Sequence, residues 1–437
     1  MSHTLQLPRP LAIIAGVRTP FAKAFTALAD RSAVQLGITA ALAAMHRAGV
    51  EPSQIDETII GNVSCPADAA NISRVVALGA GIPHDRPAFT VNRNCASGME
   101  SLISAWQAVA SGQSKRVLAG GTESMSQVPL LWDPAMQNWL MRFSHASKLR
   151  KLSLLAELRP KMLTPIVGLQ LGLTDPTCGL NMGETAEVLA EEFDISRDAQ
   201  DRFALESHQK ATAAWQRCFL GGEVTPLRAT ETSAAVDKDV GPRANQSLEA
   251  LAKLKPLFAK ENGTVTAGNS CPITDGAAMM VVMDAEQASA SGMHPLGYLR
   301  AASVVGCDPR RMGLGPVFAI SHLLADTGKS LADFELFEIN EAFAVQVLAC
   351  VNALDSSDFA QKHLGRLKAV GSVDPMRLNV NGGAIALGHP VGTTGTRLVL
   401  TLLRALKEKK MRRGIASLCV GGGQGVAMWL ETELEES

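Results

Sequence analysis

The chain has few aromatic residues and lacks long apolar runs. Aromatic residues make up 4% of its 437 positions, and tyrosine occurs once. No stretch approaches the roughly 18 consecutive apolar residues that a membrane-spanning helix needs. The first ten residues also lack the apolar centre of a secretion signal and the arginine- and serine-rich character of a transit peptide. We therefore expect a cytoplasmic protein.

An excess of charge of either sign is also missing. Lys and Arg number 41 against 42 Asp and Glu, for a net charge of −1, so the whole molecule has no general attraction to nucleic acid. With 46% hydrophobic and 19% charged residues, the composition is typical of a globular enzyme. The length suggests about two to three folding units.

The eight cysteines form no Cys-x-x-Cys pair. Their scatter fits neither a small disulfide-bonded domain nor a zinc site, so we predict no metal centre. In a reducing cytosol each of them is by default a small buried apolar side chain. A functional cysteine must therefore be argued from its local surroundings.

Short apolar runs alternate with helical patterns, which is typical of a sheet covered by helices. The first half has predicted strands at Leu11–Ala15, Thr58–Gly61, Ala88–Val91 and Arg116–Ala119, and predicted helices at Ala33–Ala48 and Met99–Ala110. The second half has predicted strands at Glu335–Ile339 and Leu378–Val380, a closing strand pair in Gly414–Trp429, and predicted helices at Ala342–Asn352 and Thr394–Leu406.

The order of elements in Phe89–Gly121 is repeated in Leu378–Gly423, and in both copies the second strand runs into glycines. We interpret this as a duplicated α/β unit, although many α/β chains share such alternation. Gln127–Glu261 departs from it, with repeated prolines and separate helical stretches at Thr185–Phe193 and Ala199–Phe219. An insertion of that length is usually functional, and we predict a loop domain over the active site.

Cys95 lies between Val91 and Gly98, where a predicted strand ends and a helix begins. Free backbone N–H groups and the helix dipole at such a position favour the thiolate, the form of cysteine that attacks carbonyl groups. Taken by itself, Cys95 is better explained as a buried structural cysteine.

His389 lies in a loop between Asn381 and Pro390 that contains several glycines. Glycine lets the backbone approach a ligand, and Pro390 stiffens the turn that carries the imidazole. A histidine so placed suits a general base near neutral pH. An ordinary loop histidine is the alternative interpretation.

Two further strand ends carry polar groups. Cys419 precedes the glycines of 421–423, whose N–H groups can face an oxyanion. A phosphate cradle is the alternative there, but neither of the common nucleotide-binding glycine motifs is present. Asn340 follows the predicted strand at Glu335–Ile339, and ligands bind outside the carboxyl ends of strands in open α/β sheets.

Together these stretches resemble the thiolase family over roughly residues 10 to 430. The resemblance rests on several short motifs in the right order. These motifs are Arg18–Phe21, the Cys95 loop, Ala119–Met125, Gly263–Asn269, Thr274–Ala277, Asn340–Phe343, Gly388–Pro390 and Cys419–Gly423.

The resemblance implies a five-layered αβαβα fold of two duplicated βαβαβαββ halves with an inserted loop domain, in a homodimer or a dimer of dimers. The N-terminal half would comprise 1–126 and 262–290, the loop domain 127–261, and the C-terminal half 291–437. The implied activity is CoA-dependent cleavage of 3-ketoacyl-CoA in fatty-acid β-oxidation. CoA and acetyl-CoA would be substrates, with no tightly bound cofactor.

The resemblance also assigns roles to single residues. Cys95 would carry the acyl group, His389 would take its proton, and Cys419 would move the second proton. Asn340 would hold a water that stabilises the enolate. The N–H groups of Cys95 and Gly421 would form a second oxyanion hole.

Contacts with CoA are implied at the loop domain and its borders. Arg243 would meet the nucleotide end of CoA, although a solvated surface arginine fits that position almost as well. Where many relatives have a serine bonding the pantetheine, this chain offers Cys271 with Ser270 beside it, which leaves that hydrogen bond in doubt. The positions expected to line the pantetheine tunnel are Ala267, Met182 and Phe343.

The segment Gln137–Pro165 combines apolar residues at helical spacing with six basic residues and the single acid Glu157. Basic amphipathic helices bind membranes or partner proteins, and a helix packed on its own core is the alternative. The segment resembles β subunits of fatty-acid-oxidation complexes, which implies a hydratase/dehydrogenase α subunit as a partner.

Four functions stay open. A broad 3-ketoacyl-CoA thiolase leads, and a short-chain acetyl-CoA C-acetyltransferase follows closely, because the His389 and Cys419 loops are similar to those of acetoacetyl-CoA enzymes. A decarboxylating ketoacyl synthase lacks the second cysteine, so Cys419 counts against it. A non-catalytic acyl-CoA or lipid-binding module is disfavoured by the intact set of reactive residues.

Overall fold

The computed structural model describes residues 4–231, 233–259 and 261–434. Most strands belong to one large mixed sheet. The strands are β1 Thr4–Leu5, β2 Leu11–Arg18, β3 Ala22–Lys23, β4 Glu57–Gly61, β5 Ala88–Val91, β6 Arg116–Glu123, β7 Leu130–Leu131, β8 Ile166–Val167, β9 Thr274–Asp284, β10 Gly297–Gly306, β11 Leu336–Ile339, β12 Arg413–Val420 and β13 Gln424–Glu431.

Helices cover the sheet or belong to the long insertion. They are α1 Ala33–Ala48, α2 Ile72–Gly79, α3 Ser97–Ala110, α4 Pro134–His145, α5 Lys148–Leu155, α6 Gly168–Gly172, α7 Met182–Glu192, α8 Arg197–Gln216, α9 Leu248–Ala252, α10 Ala285–Ala290, α11 Gly315–Thr327, α12 Ala344–Asp355, α13 Ser357–His363, α14 Ala384–Leu387 and α15 Thr394–Lys409. Within the described part of the chain, no helix combines the length and the apolarity that crossing a bilayer requires.

The sheet is built of two similar halves joined at β2 and β10. These two strands pair antiparallel over a short stretch, with Leu11 opposite Leu299. On one side of the junction the order is β2-β9-β6-β4-β5, and on the other it is β10-β13-β12-β11. In each half the two strands nearest the junction pair antiparallel, whereas β4, β5 and β6 pair parallel, as do β11 and β12. The duplication inferred from the sequence is thus visible in the topology.

Among the described residues of the second half there is no counterpart of β5, so the predicted strand Leu378–Val380 is wrong. Only a single bridge joins Leu378 to Phe337. Asn379 follows with a left-handed backbone (φ +46°), which ends any extended strand. Its side-chain amide accepts from the N–H of Ile339 and donates to the C=O of the same residue, both at 2.9 Å. The side chain of Asn379 therefore makes the hydrogen bonds at the edge of β11 that a neighbouring strand was expected to make.

The other predicted strands and helices occur with ends that differ by a few residues, and their packing gives five layers. One apolar cluster joins α1 and α2 to the first half of the sheet. A second joins α11 and α12 to the other half. The largest cluster contains α3 and α15 and lies between the two halves of the sheet. The order of layers is therefore helix, sheet, helix, sheet, helix.

Helices α3 and α15 approach each other closely at their N-terminal ends. A Cβ atom on Gly98 would lie 2.7 Å from the hydroxyl of Thr396, and one on Gly395 would lie 2.5 Å from the backbone nitrogen of Met99. Larger residues would push the helices apart at these positions. The close contact brings together the loops that precede α3 and α15, which carry Cys95 and His389.

A buried arginine attaches the insertion to the first half. Arg18, at the end of β2, binds Glu223 at 2.7 Å and Asp239 at 2.6 Å, and all three side chains are inaccessible to solvent. In contrast, α4 and α5 have a small core of their own around Trp139 and Leu154. The proposed division at residues 127 and 261 stays a prediction.

Candidate active site

The Cys95 loop is shaped by its own hydrogen bonds. It connects β5 to α3, and Asn94 adopts a left-handed backbone (φ +44°). The hydroxyl of Ser97 accepts from the N–H of Arg93 at 2.9 Å and donates to the C=O of Asn94 at 2.7 Å. This turn presents Cys95 just before the start of α3, where the sequence analysis placed it.

Contacts from the second half hold this loop. The side-chain amide of Asn94 donates to the C=O of Gly421 at 2.9 Å, and Arg93 donates to the amide oxygen of Gln424 at 3.0 Å. Arg93 also pairs with Glu100 at 2.6 Å. The glycine turn after β12 is therefore fixed against the Cys95 loop, although the two are far apart in the chain.

The Cys95 thiol lies among groups with opposing effects. Burial raises the pKa of Cys95, whereas the N–H groups of Gly421 and of Cys95 itself lower it by hydrogen bonding to the sulfur. The first effect is larger, so the free thiol holds its proton near neutral pH and needs a base to become a nucleophile. Two N–H groups beside a nucleophilic sulfur are the kind of donors that can stabilise an oxyanion.

Cys419 is buried near the end of β12, at 2% exposure. Burial raises the pKa of its thiol well above the usual value, and the neighbouring cysteines, Cys95 foremost, raise it further. Cys95 and Cys419 are therefore close enough to interact electrostatically. A thiol that keeps its proton at neutral pH can deliver that proton to a carbanion that forms beside it.

His389 is held by one hydrogen bond of its backbone and one of its ring. Its backbone N–H donates to the hydroxyl of Thr274 at 3.1 Å, and its Nδ1 atom lies 2.6 Å from the hydroxyl of Thr394. Because the Thr394 hydroxyl donates its single proton to the C=O of Pro390 at 2.9 Å, it accepts from Nδ1–H. This assignment leaves a lone pair on Nε2, which is buried and has no hydrogen-bond partner among the described residues.

The imidazole of His389 is neutral over the physiological range. Burial lowers its pKa to about 3, and the positive charge of Arg397 adds to this effect. A neutral ring with a free Nε2 lone pair can accept a proton or, once protonated, donate a hydrogen bond.

Asn340 directly follows β11 and is fully buried. Its backbone N–H donates to the C=O of Ser417 at 2.9 Å, which extends the pairing of β11 with β12 by one residue. Neither side-chain polar atom has a partner in the described part of the chain. A buried amide without partners is costly unless a ligand or water completes its hydrogen bonds.

An irregular stretch, residues 269–274, connects several of these groups. Cys271 donates its N–H to the C=O of Ala342 at 3.0 Å, and Ser270 forms a bridge with Phe343. Ile273 forms a bridge with His389. The thiol of Cys271 also interacts electrostatically with Cys95. The stretch thus lines the space between the Cys95 loop and the His389 loop.

The residues expected to contact CoA form a buried or half-buried group near the active site and a second, exposed group. Met182 lies over the glycine turn, since a Cβ atom on Gly421 would be 3.1 Å from its sulfur, and Phe343 is buried. Ser270 is also buried and donates its hydroxyl to the C=O of Thr266 at 2.7 Å, so that hydroxyl is already engaged. Ala267 and Arg243 are both exposed. Their contacts with CoA stay predictions.

Arg243 has one further contact that the sequence did not suggest. Its backbone N–H donates to the Nδ1 atom of His208 at 3.3 Å. Burial and the charge of Arg243 lower the pKa of His208 to about 4.

The sequence analysis also missed Thr394 and Arg397. Both lie in the first turn of α15 or close to it, and neither belongs to a recognisable motif by itself. A hydroxyl five positions after a loop histidine was the available signal for Thr394. Nothing in the sequence pointed to Arg397 as a buried partner of Glu338, with Nη1 to Oε2 at 3.1 Å. Residues 4–231, 233–259 and 261–434 contain no group of three or more His, Cys, Asp or Glu side chains that could hold a metal ion.

Comparison with known proteins extends over nearly the whole chain. A family model described as "Thiolase, N-terminal domain" matches residues 11–286, and "Thiolase, C-terminal domain" matches residues 293–432. Proteins named 3-ketoacyl-CoA thiolase from Colwellia psychrerythraea and Yersinia enterocolitica are 38% and 37% identical over 97% of each chain.

Solved structures agree with the sequence comparisons. The Bacillus anthracis acetyl-CoA acetyltransferase is 36% identical, with a TM-score of 0.85 over 98% of this chain and 100% of the other. Human mitochondrial 3-ketoacyl-CoA thiolase in complex with CoA has the same identity and TM-score over 98% of this chain and 99% of the other.

Proposed function

Because the chain belongs to the thiolase family and is an acyltransferase, we propose that it cleaves 3-ketoacyl-CoA with CoA to give acetyl-CoA and a shortened acyl-CoA, as in fatty-acid β-oxidation. The reverse reaction is a Claisen condensation. The observation that carries the proposal is the proximity of two thiols, half-buried Cys95 and buried Cys419. They interact electrostatically, the N–H groups of Gly421 and Cys95 bond the Cys95 sulfur, and the Cys95 loop is joined to the turn after Cys419 by the hydrogen bond from Asn94 to Gly421.

In the first half-reaction, the neutral Nε2 of His389 takes the proton of Cys95, and the sulfur attacks the 3-keto carbon. The N–H groups of Cys95 and Gly421 stabilise the resulting oxyanion. The bond between C2 and C3 then breaks, and its electron pair leaves as the enolate of acetyl-CoA. The thiol of Cys419 donates a proton to C2, which yields acetyl-CoA and an acyl group in thioester linkage to Cys95.

The enolate is the least stable species on this route, so its oxygen needs hydrogen-bond donors as it forms. Asn340 and His389 supply polar atoms that lack partners within the described chain. We assign them to the thioester oxygen of the enolate, with a water held by Asn340. The protonated ring of His389 then returns its proton to the Cys419 thiolate, which restores both groups. In the second half-reaction, Nε2 takes the proton of the CoA thiol, CoA attacks the Cys95 thioester, and the ring gives that proton to the departing Cys95 sulfur, so the kinetics are ping-pong.

A short-chain acetyl-CoA C-acetyltransferase is the second candidate, favoured by the likeness to the Bacillus anthracis acetyl-CoA acetyltransferase. Thiolysis of 3-ketoacyl-CoAs from C4 to C16, followed by loss of the magnesium–enolate absorbance, separates the two. We expect turnover across the series. Activity confined to C4 would reject the broad thiolase in favour of this candidate, and absence of activity throughout would reject both.

A cytoplasmic location and a homodimer or dimer of dimers are further parts of the proposal. All eight cysteines are free, which suits a reducing compartment. The oligomeric assembly rests on the family resemblance. Size-exclusion chromatography with light scattering tests it, and a monomer at micromolar concentration would contradict it.

The segment 137–165 is proposed to bind an anionic membrane surface. Its helices pack on each other through Trp139, whose ring N–H donates to the C=O of Leu154 at 2.9 Å. Met141, Leu149 and Leu152 point to solvent on the outer side. These apolar side chains lie among six basic residues, a combination that suits insertion beside acidic headgroups.

Sedimentation with vesicles tests this surface. We expect binding to vesicles that contain phosphatidylglycerol, and loss of binding when Leu149 and Leu152 are both changed to Ser. Leu367→Ser, at an exposed site elsewhere, serves as the control. A wild-type protein that ignores such vesicles but binds a hydratase/dehydrogenase α subunit would overturn the membrane proposal and assign the segment to that partner.

A further inference from the structure

A buried ion pair joins α15, whose first residue Thr394 contacts the ring of His389, to β11, the strand that Asn340 follows. Arg397 on α15 and Glu338 on β11 are inaccessible to solvent, and Nη1 of the arginine lies 3.1 Å from Oε2 of the glutamate. The other side-chain nitrogens of Arg397, and Oε1 of Glu338, have no partner among the described residues. One hydrogen bond therefore forms the direct polar link between these two side chains.

The positions of the pair in the chain relate it to two active-site groups. Glu338 lies on β11, and Asn340, two residues later, continues the pairing with β12, so both side chains extend from the same face of the sheet. Arg397 follows Thr394 by three residues on α15, so the two lie on one side of the helix. Because Thr394 holds the His389 ring, the ion pair connects the support of His389 to the strand that carries Asn340.

We propose that the Arg397–Glu338 pair positions the active site by fixing α15 against β11 and thereby fixing His389 relative to Asn340. The inference rests on the proposed function, because it takes His389 and Asn340 to be the groups that face the enolate. Arg397 and Glu338 touch no reacting atom in this scheme and act through Thr394 and through the end of β11.

Electrostatics supports the same assignment. Burial and then Arg397 lower the pKa of His389. The other charged groups around the pair are carboxyls: Glu341, which follows Asn340, and Glu223 from the insertion, both of which interact with Glu338. Burial raises the pKa of Glu338, and the positive charge of Arg397 opposes this rise and favours the charged carboxylate. Arg397 is thus the cation that disfavours protonation of His389.

The variants Arg397→Met, Glu338→Gln and the double variant Arg397→Met/Glu338→Met test the proposal. An apolar pair of similar volume is often tolerated where a buried ion pair is replaced, so the double variant is designed to fold. Arg404→Met is the matched control, because Arg404 lies further along α15, where its guanidinium donates to the C=O of Phe219. Thermal unfolding of every variant is measured first.

In Arg397→Met and in the folded double variant, we expect kcat for thiolysis to fall about tenfold to a hundredfold, since small displacements of catalytic groups cost that much. KM for CoA should change little, and Arg404→Met should behave as wild type. The acidic limb of the pH profile of kcat/KM should move to higher pH when Arg397 is removed, because the imidazolium no longer meets its positive charge. Glu338→Gln keeps Arg397, so the acidic limb of its kcat/KM profile should not move to higher pH.

The proposal fails if kcat and the pH profile of Arg397→Met or of the folded double variant match wild type. It also fails if all three variants unfold, because the pair would then serve stability alone. Alkylation of Cys95 by iodoacetamide is a readout that needs no acyl-CoA, and we expect it to slow about fivefold in Arg397→Met as His389 is displaced. If the wild type is alkylated at Cys95 but cleaves no 3-ketoacyl-CoA, the proposed function is rejected. The alkylation rates of wild type and Arg397→Met still test the ion pair in that case.

Discussion

The Nδ1 atom of His389 lies 2.6 Å from the hydroxyl of Thr394, and that hydroxyl donates a hydrogen bond to the C=O of Pro390. This short chain of hydrogen bonds decides which ring nitrogen carries the proton. It leaves the Nε2 lone pair free to accept a proton.

Replacing Thr394 should therefore affect catalysis more than folding. We expect Thr394→Val to lower kcat about tenfold to a hundredfold, since the ring loses the acceptor that fixes its tautomer and orientation. Thr394→Ser keeps the hydroxyl and should retain most of the activity. Steady-state thiolysis with both variants checks this, and equal activity of Thr394→Val and wild type would contradict the assigned tautomer.

Cys95→Ala should lose thiolysis by about three orders of magnitude or more, because no acyl group can be held on the enzyme. The same assay on Cys178→Ala, which removes a partly exposed cysteine elsewhere, should show wild-type rates. Circular dichroism confirms that both variants are folded. Near-normal thiolysis by Cys95→Ala would end the thiolase mechanism proposed for this chain.

Cys419→Ala should separate the two half-reactions. Loss of the proton donor is expected to slow carbon–carbon cleavage about a hundredfold to ten-thousandfold. Acyl transfer between Cys95 and CoA breaks no carbon–carbon bond and should continue. Exchange of labelled CoA into acetyl-CoA measures this second activity directly, and an equal loss of both activities would argue against the assigned role of Cys419.

His208 should make stability depend on pH. Its pKa is about 4 in the folded protein against 6.5 for an unperturbed imidazole, so between these two pH values the unfolded state binds more protons. Stability contributed by the neutral ring is therefore full above pH 6.5 and is lost as the pH falls towards 4, by about 1 kcal/mol per pH unit. Urea unfolding at pH 7 and pH 5 should show a smaller loss in His208→Gln than in wild type. An identical loss in the two proteins would show that His208 does not titrate as described.

Much of the fold could be predicted because its information is local. The helix Ala33–Ala48 and the strand Ala88–Val91 occur with the predicted bounds, since periodicity of apolar residues reports directly on which face is buried. The strand at Leu378–Val380 could not be judged in this way. Its apolar residues are present, but the edge of β11 is satisfied by the side chain of Asn379, a contact between distant parts of the chain.

The sequence by itself determined which groups are candidates for the chemistry. Cys95, His389, Asn340 and Cys419 each lie at a strand end or in a glycine-rich loop, and such positions are encoded by a few adjacent residues. Only the tertiary structure decided how these groups face one another. Asn94 reaches Gly421 across 327 positions, and Arg397 reaches Glu338 across the interior, because two halves of one sheet enclose α3 and α15. Distances, tautomers and pKa values depend on that burial, which no local pattern of residues contains.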